Sequence, residues 1–185
     1  MKTHTQIIND ILIHGKRESY ELIVNEFSEY IFAFVKSIVG NGLDAQDITQ
    51  EVFIKGYFNL KKLKDVNKLK SWISQIAYNE SISHLRKKKR GMDISFIDNI
   101  KYDSEAFLDD REEEIELKVS TERDLELLNE ALKRIKDEEL FLIKAFYFEK
   151  KSIKAIEEIT GLSESNIKIR LHRIKKRLKE IINRK

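Results

Sequence analysis

Near the C-terminus Ser165, Lys168, Ile169, His172, Arg173 and Lys176 recur at helical spacing opposite an apolar stripe of Ile167, Leu171, Ile174, Leu178 and Ile181. Apolar residues stepping by four, three, four and three along the chain bury one side of a helix and leave the other outward. An Arg on such a side can read guanine through two hydrogen bonds, while Lys and Ser bind phosphates. A helix N-terminus is itself an anion site. Just upstream stand the short amphipathic run SIKAIEEI and the turn Gly161-Leu162-Ser163. Short helix, turn and long basic helix form the layout of a helix-turn-helix, whose second helix enters the major groove. A basic surface helix in a bundle would share much of this pattern, and His172 alone would carry no information.

Two more constellations stand in the N-terminal half. Asp47, Gln50 and Glu51 fall at i, i+3 and i+4, one polar stripe beside the apolar Ile48 and Val52. An acid near a helix start favours the helix dipole, so this stripe by itself names no partner. Asn79, Ser83, Arg86, Lys87 and Arg90 fall at offsets 0, 4, 7, 8 and 11, ending in the run RKKKR at 86–90. An amide and a hydroxyl upstream of clustered cations suit base contacts next to backbone contacts. Cations at a helix C-terminus also stabilise its dipole, which accounts for one or two of them but not for five.

The elements that must position these side chains follow from periodicity. Residues 18–39 carry Tyr20, Ile23, Val24, Phe27, Ile31, Phe34, Val35 and Ile38 on one helical face, and Gly40 and Gly42 supply C-cap conformations. Asp44 fits an N-cap with Asp47 as its capping-box-like partner, opening a helix that runs to about Leu63. After a polar connection at 64–68, a third helix is expected from about 68 to 90. The core of this bundle is assigned to Phe27, Ile31, Val35, Ile48, Val52, Phe53, Trp72, Ile73, Ile76 and Ala77. Residues 91–124 read as an acidic linker of scattered hydrophobes, a tether in composition. Beyond it come a helix with Leu125, Leu128, Ala131, Leu132 and Ile135 on one face and a second that is apolar through Leu140, Ile143, Phe146 and Tyr147. Ser152 and Ser163 then cap the two helices of the helix-turn-helix. The fold class is all-α: two helical domains, 1–90 and 125–185, joined by the linker.

Composition agrees with that class. At 185 residues the chain suits one domain or two small ones. Average usage would give about nine prolines, whereas it has none, and only six glycines, so long uninterrupted helices are expected. It also has no cysteine, which excludes a disulfide scaffold and a thiolate metal site and fits a reducing cytoplasm. No apolar run is long enough to span a membrane, and the N-terminus lacks the pattern of a signal peptide. The four histidines form no metal-spaced pair and no Gly-rich phosphate loop appears, so neither enzyme, metal nor cofactor is expected.

The net charge of +3 conceals a separation. Residues 1–90 hold 15 basic and 10 acidic residues, 91–120 hold 3 and 10, and 121–185 hold 17 and 12. Local fields, not the total, steer a polyanion, and two basic blocks flank an acidic middle.

AQDITQEVFIKGYFNL, KSWISQIAYNESISHLRKKKR and, beyond the acidic stretch, ALKRIKDEELFLIKAFYFEKKSIKAIEEITGLSESNIKIRLHRIKKRLKEI together resemble the extracytoplasmic-function (ECF) class of bacterial RNA polymerase sigma factors. The resemblance covers about 18–90 and 125–182, the two domains of that family in their order, and the combination of D-x-x-Q-E, S-W-x-x-x-I-A-x-N and T-G-x-S-x-x-x-I-K-x-R-L-H-R is highly specific. It implies that Asp47, Gln50 and Glu51 dock on the clamp helices of the polymerase β′ subunit, and that Leu60 to Trp72 trap a flipped base of the promoter −10 element. It further implies that Asn79 and Ser83 face that element, with Arg86, Lys87 and Arg90 on the adjacent backbone. Ser165, Lys168, Ile169, Arg170, His172, Arg173 and Lys176 would read the −35 element. Core RNA polymerase (β′ clamp helices and β flap), promoter DNA and an anti-sigma factor are the implied partners. The chain departs from the family pattern at Ser83, where an acid is common, and at Ile135-Lys136-Asp137, where Leu-Pro is usual. Asn166 stands in place of Thr, and Ile169 in place of a small polar residue. The competing reading, a one-component DNA-binding regulator with a ligand-sensing N-terminal bundle, explains the helix-turn-helix but leaves the patterns at 45–90 as coincidence.

Overall fold

A computed structural model describes residues 2–91, 122–133 and 135–183. Most of the acidic linker, residues 92–121, lies outside them. The described residues separate into two helical units that divide near Lys88, with Glu158–Gly161 grouped with the first.

The N-terminal unit holds four helices: α1 (His4–Leu12), α2 (Tyr20–Val39), α3 (Gly42–Asn59) and α4 (Leu69–Gly91). Helix α1, for which the sequence reading had no place, begins at a capping box: the Gln6 N–H donates to Thr3 Oγ1, and the Thr3 N–H to Gln6 Oε1. Its Ile7, Ile8 and Ile11 are buried in the same core as Ile23, Phe27, Ile31 and Val35 of α2. Helix α2 ends where Gly40 adopts φ +77, the left-handed value that relieves a chain stop without a Cβ penalty.

The next helix starts three residues earlier than the sequence suggested. Asn41, with extended φ −104 and ψ 133, is the N-cap; its Oδ1 accepts from the N–H groups of Leu43 (2.8 Å) and Asp44 (3.2 Å). Gly42 is already helical and is not part of a C-cap. Asp44 therefore lies inside the first turn and caps nothing. Its carboxylate meets Lys88 Nζ at 3.0 Å and His84 Nε2 at 3.3 Å, tying α3 to α4. The Lys88 hydrogen bond, seconded by His84, holds the Asp44 carboxyl below the usual carboxylate range.

The close approach of α2 and α3 rests on Gly56. A Cβ there would stand 2.6 Å from the Tyr20 hydroxyl, which instead donates to the Phe53 carbonyl at 2.8 Å in a buried setting. Between α3 and α4, Leu60–Lys62 and Val66–Lys68 form two single turns of tight helix. Eight of the ten assigned core residues are buried as expected. Trp72 and Ile76 are only half-buried, packed on the rim of the core. They precede Asn79 and Ser83 on one line along α4, with steps of four, three and four, while Ile73 and Ala77 take the inner face.

The C-terminal unit comprises α5 (Glu122–Lys133), α6 (Asp137–Ile143), most of α7 (Ile153–Thr160) and α8 (Glu164–Asn183). Ala131, Ile135, Ile143, Ile174 and Leu178 form one buried cluster, with Leu128, Leu132 and Leu140 against it. Lys136, the N-cap of α6, takes φ −65 and ψ 148. That is the φ at which a proline ring is locked, so the turn into α6 forms here without one. Helix α6 runs into a π-helical turn over Lys144–Phe148, closed by Glu149 N–H to the Lys144 carbonyl at 2.9 Å. The wider turn shifts the inward face: Phe141, Leu142, Ile143 and Ala145 are buried, Leu140 and Phe146 half-buried, and Tyr147 is exposed. The apolar line through Leu140, Ile143, Phe146 and Tyr147 assumed a continuous α period and so holds fully only at Ile143. Among the described residues no helix is long and apolar enough to cross a membrane.

Candidate nucleic-acid and partner interfaces

The helix-turn-helix is assembled by short-range capping. Ser152 Oγ accepts from the Ala155 N–H at 3.1 Å at the start of α7, and Ser163 Oγ from the Asn166 N–H at 3.3 Å at the start of α8. Both serines act as expected. Between them Gly161 takes φ +73, the left-handed residue that lets the chain reverse in so short a turn. Helix α8 then buries Ile167, Leu171, Ile174 and Leu178; of the fifth predicted residue, Ile181, the side chain lies outside the described residues.

The opposite side of α8 is open. Ser165, Lys168, His172, Arg173 and Lys176 are exposed, and Ile169 and Arg170 half-buried. Arg170 Nε donates to Asn166 Oδ1 at 2.7 Å, one turn back, which holds that guanidinium along the helix. Orientation of the whole face is set from behind. Glu139 of α6, 6% exposed, receives both terminal nitrogens of Arg177, at 3.1 and 3.4 Å. A two-point charged hydrogen bond fixes geometry as well as contact, and it holds α8 against α6.

On α4, Asn79, Arg86 and Lys87 are exposed and Ser83 is half-buried; the Arg90 side chain lies outside the described residues. Trp72 and Ile76 extend this line towards the 60–68 connection. A half-exposed indole in line with amide, hydroxyl and cations suits unpaired bases, which stack on aromatic faces. The connection adds exposed Lys61, Lys62, Lys64 and Lys68. Lys70 Nζ sits 4.3 Å above the Tyr30 ring, bracing α4 on α2.

Helix α3 presents a third surface. Asp47, Gln50 and Glu51 are all exposed. The structure places with them three residues that sequence reading left out: Leu43, Ile54 and Phe58, which are 75, 58 and 71% exposed. At four before Asp47, four after Gln50 and seven after Glu51, they share the outer face of α3. Their signal was legible as apolar residues out of phase with Ile48 and Val52. Large apolar groups interleaved with acids and held in water mark a protein-contact surface. Glu51 lies 4.0 Å from Lys55, which also pairs with Glu80 of α4.

Comparison with known proteins bears on both halves of the chain. The model of Sigma-70 region 2 matches residues 23–91 and that of Sigma-70, region 4 matches residues 125–178. The chain is 27% identical over 167 residues to the ECF RNA polymerase sigma factor SigM of Bacillus subtilis, covering 90% of this chain and 94% of that protein. With the ECF RNA polymerase sigma factor SigW of the same organism it shares 26% over 173 residues, with 90% of each covered. Among solved structures, the sigma factor RpoE of Bartonella quintana, determined in complex with the anti-sigma factor NepR, shares the fold at a TM-score of 0.52 and 22% identity, over 90% of this chain and 98% of that one.

An all-helical chain carrying region 2 and region 4 in that order, with a helix-turn-helix in the second, is a transcription initiation factor and not an enzyme. It belongs to the ECF RNA polymerase sigma factors.

Proposed function

We propose that residues 1–90 bind core RNA polymerase and open the −10 element, that residues 125–185 read the −35 element, and that the acidic segment 91–124 connects the two readers. The observation that carries this assignment is the pair of outward faces on α4 and α8, each cationic or amide-bearing and each opposite a buried apolar stripe. Asn79 and Ser83 face the unpaired −10 bases, with Arg86, Lys87 and Arg90 on the adjoining backbone, and the segment from Leu60 to Trp72 captures the flipped base. Ser165, Lys168, Ile169, Arg170, His172, Arg173 and Lys176 lie along the −35 major groove. Asp47, Gln50 and Glu51 dock on the β′ clamp helices, and the exposed Leu43, Ile54 and Phe58 supply the apolar part of that contact.

The C-terminal domain meets the β flap, for which the exposed Tyr147 and Phe148 offer an apolar edge. An anti-sigma factor would hold the chain inactive in the cytoplasm by covering these surfaces. Support comes from the structural relative determined with such a partner and from the large exposed apolar residues on α3. The test is transcription in vitro with Bacillus subtilis core polymerase on a promoter library. Enriched sequences should share two elements at one spacing, and the chain without core should not select them. Tight duplex selection by the chain alone would instead support a one-component regulator.

A further inference from the structure

Helix α1 precedes the segment matched by the region 2 model, which starts at residue 23, yet it is among the better anchored parts of the molecule. Its capping box fixes the start, and Ile7, Ile8 and Ile11 are 4, 6 and 8% exposed. Lys2 and Lys16 both reach Asp10, at 2.5 and 3.5 Å, and His4 Nε2 meets Glu26 of α2 at 2.8 Å. Besides α2, this helix packs on both tight turns of the connection, Leu60–Lys62 and Val66–Lys68.

That connection also packs on the end of α3. Its local scaffold includes the Leu63 N–H to the Leu60 carbonyl and the Lys68 N–H to the Asp65 carbonyl, both at 3.0 Å, and the Asn67 N–H to Asp65 Oδ1 at 2.9 Å. Exposed Lys61, Lys62 and Lys64 repel one another along it. Its inward pins are apolar: Leu60, buried, with Leu63 and Val66 partly buried in the core that contains the three isoleucines of α1.

We propose that α1 is the floor of the base-capturing connection, and that Ile7, Ile8 and Ile11 are positioning residues for promoter opening. They touch no nucleic acid. They hold Leu60 to Lys68 at the height where Trp72 and the connection together accept an unstacked base. Unstacking a base is unfavourable, and a pre-placed pocket offsets that cost. This inference rests on the assignment of Leu60–Trp72 to base capture.

The test uses the full chain with Bacillus subtilis core polymerase and a promoter selected for the wild-type chain, supplied as duplex and with the −10 segment unpaired. Ile8→Val and Ile11→Ala are compared with Val35→Ala, a core substitution on α2, at matched thermal stability. Leu63→Ala reports on the connection itself. The α1 variants should lose about tenfold in transcription on the duplex, equivalent to one decade of an opening equilibrium, and less than about twofold on the unpaired template. Val35→Ala should lose equally on both. If Leu63→Ala shows the split and the α1 variants do not, α1 is only part of the core and the inference falls. If none shows it, the base-capture assignment falls and takes the inference with it.

Discussion

Single residues decide how closely the helices approach. At Gly56 an added Cβ would sit 2.6 Å from the Tyr20 hydroxyl, so Gly56→Ala should destabilise the N-terminal domain by about 1–3 kcal/mol through overpacking. Removing that oxygen removes the clash. In a Tyr20→Phe background the same substitution should be neutral or stabilising by up to about 1 kcal/mol, the helix-propensity gain of alanine over glycine. A urea-melt double-mutant cycle reads this reversal, and additive losses would place the conflict elsewhere. Lys150 is the one non-glycine among the described residues with positive φ, at 54. Lys150→Gly should raise stability by about 1 kcal/mol, because the left-handed region costs a residue with a Cβ roughly 1–2 kcal/mol and the added freedom of the unfolded glycine offsets part of it. Thermal unfolding measures the gain.

Asp44 sets a pH dependence. Its folded pKa is depressed by Lys88 and His84, so its contribution is present above the unfolded value of about 3.9 and lost as pH falls through the lower folded value. Asp44→Asn should therefore be less stable than wild type at pH 7, and the two should converge in strongly acidic solution. A difference that persists unchanged at low pH would show that the carboxylate charge is not what joins α3 to α4.

At the scale of the element, α3 and α8 share one design: a buried stripe on one side and a working face on the other. For α3 the working face mixes acids with exposed Leu43, Ile54 and Phe58, so its two kinds of contact can be separated. Asp47→Lys with Glu51→Lys should abolish copurification with core polymerase while leaving circular dichroism unchanged. Phe58→Ser should weaken binding with little dependence on salt, since an apolar contact is not screened. For α8, replacing Arg173 should cost about 1–3 kcal/mol at one promoter base; a loss uniform across sequences would make it a phosphate contact. Periodicity revealed both buried stripes, because a helix that packs on one side must write that side into its sequence. The end of α6 escaped it, because a π-helical turn changes the period within one element.

Across the whole molecule, charge is separated where its sum is small. Two basic domains and an acidic segment nearly cancel to +3, yet each reader keeps its own local field. On the proposed function, two weak readers connected through residues 91–124 would gain through effective concentration only when both sites are presented at the right spacing. Holoenzyme affinity should accordingly fall sharply when the distance between −35 and −10 elements changes by a few base pairs, measured by filter binding at constant salt. The absence of proline and the spacing of apolar residues were enough to establish an all-helical chain, and the joint motifs were enough to name its class. Both are local properties, written at intervals of three and four. The sequence could not show that α1 joins the core beneath the 60–68 connection, or that Asn41 and not Asp44 caps α3. Nor could it show that Trp72 turns towards the outer line of α4, or that Phe58 is left in water. The cap is made locally, though Asp44 is taken up by His84 and Lys88 of α4; the others depend on which surface meets a residue from far along the chain, and only the packed tertiary structure decides that.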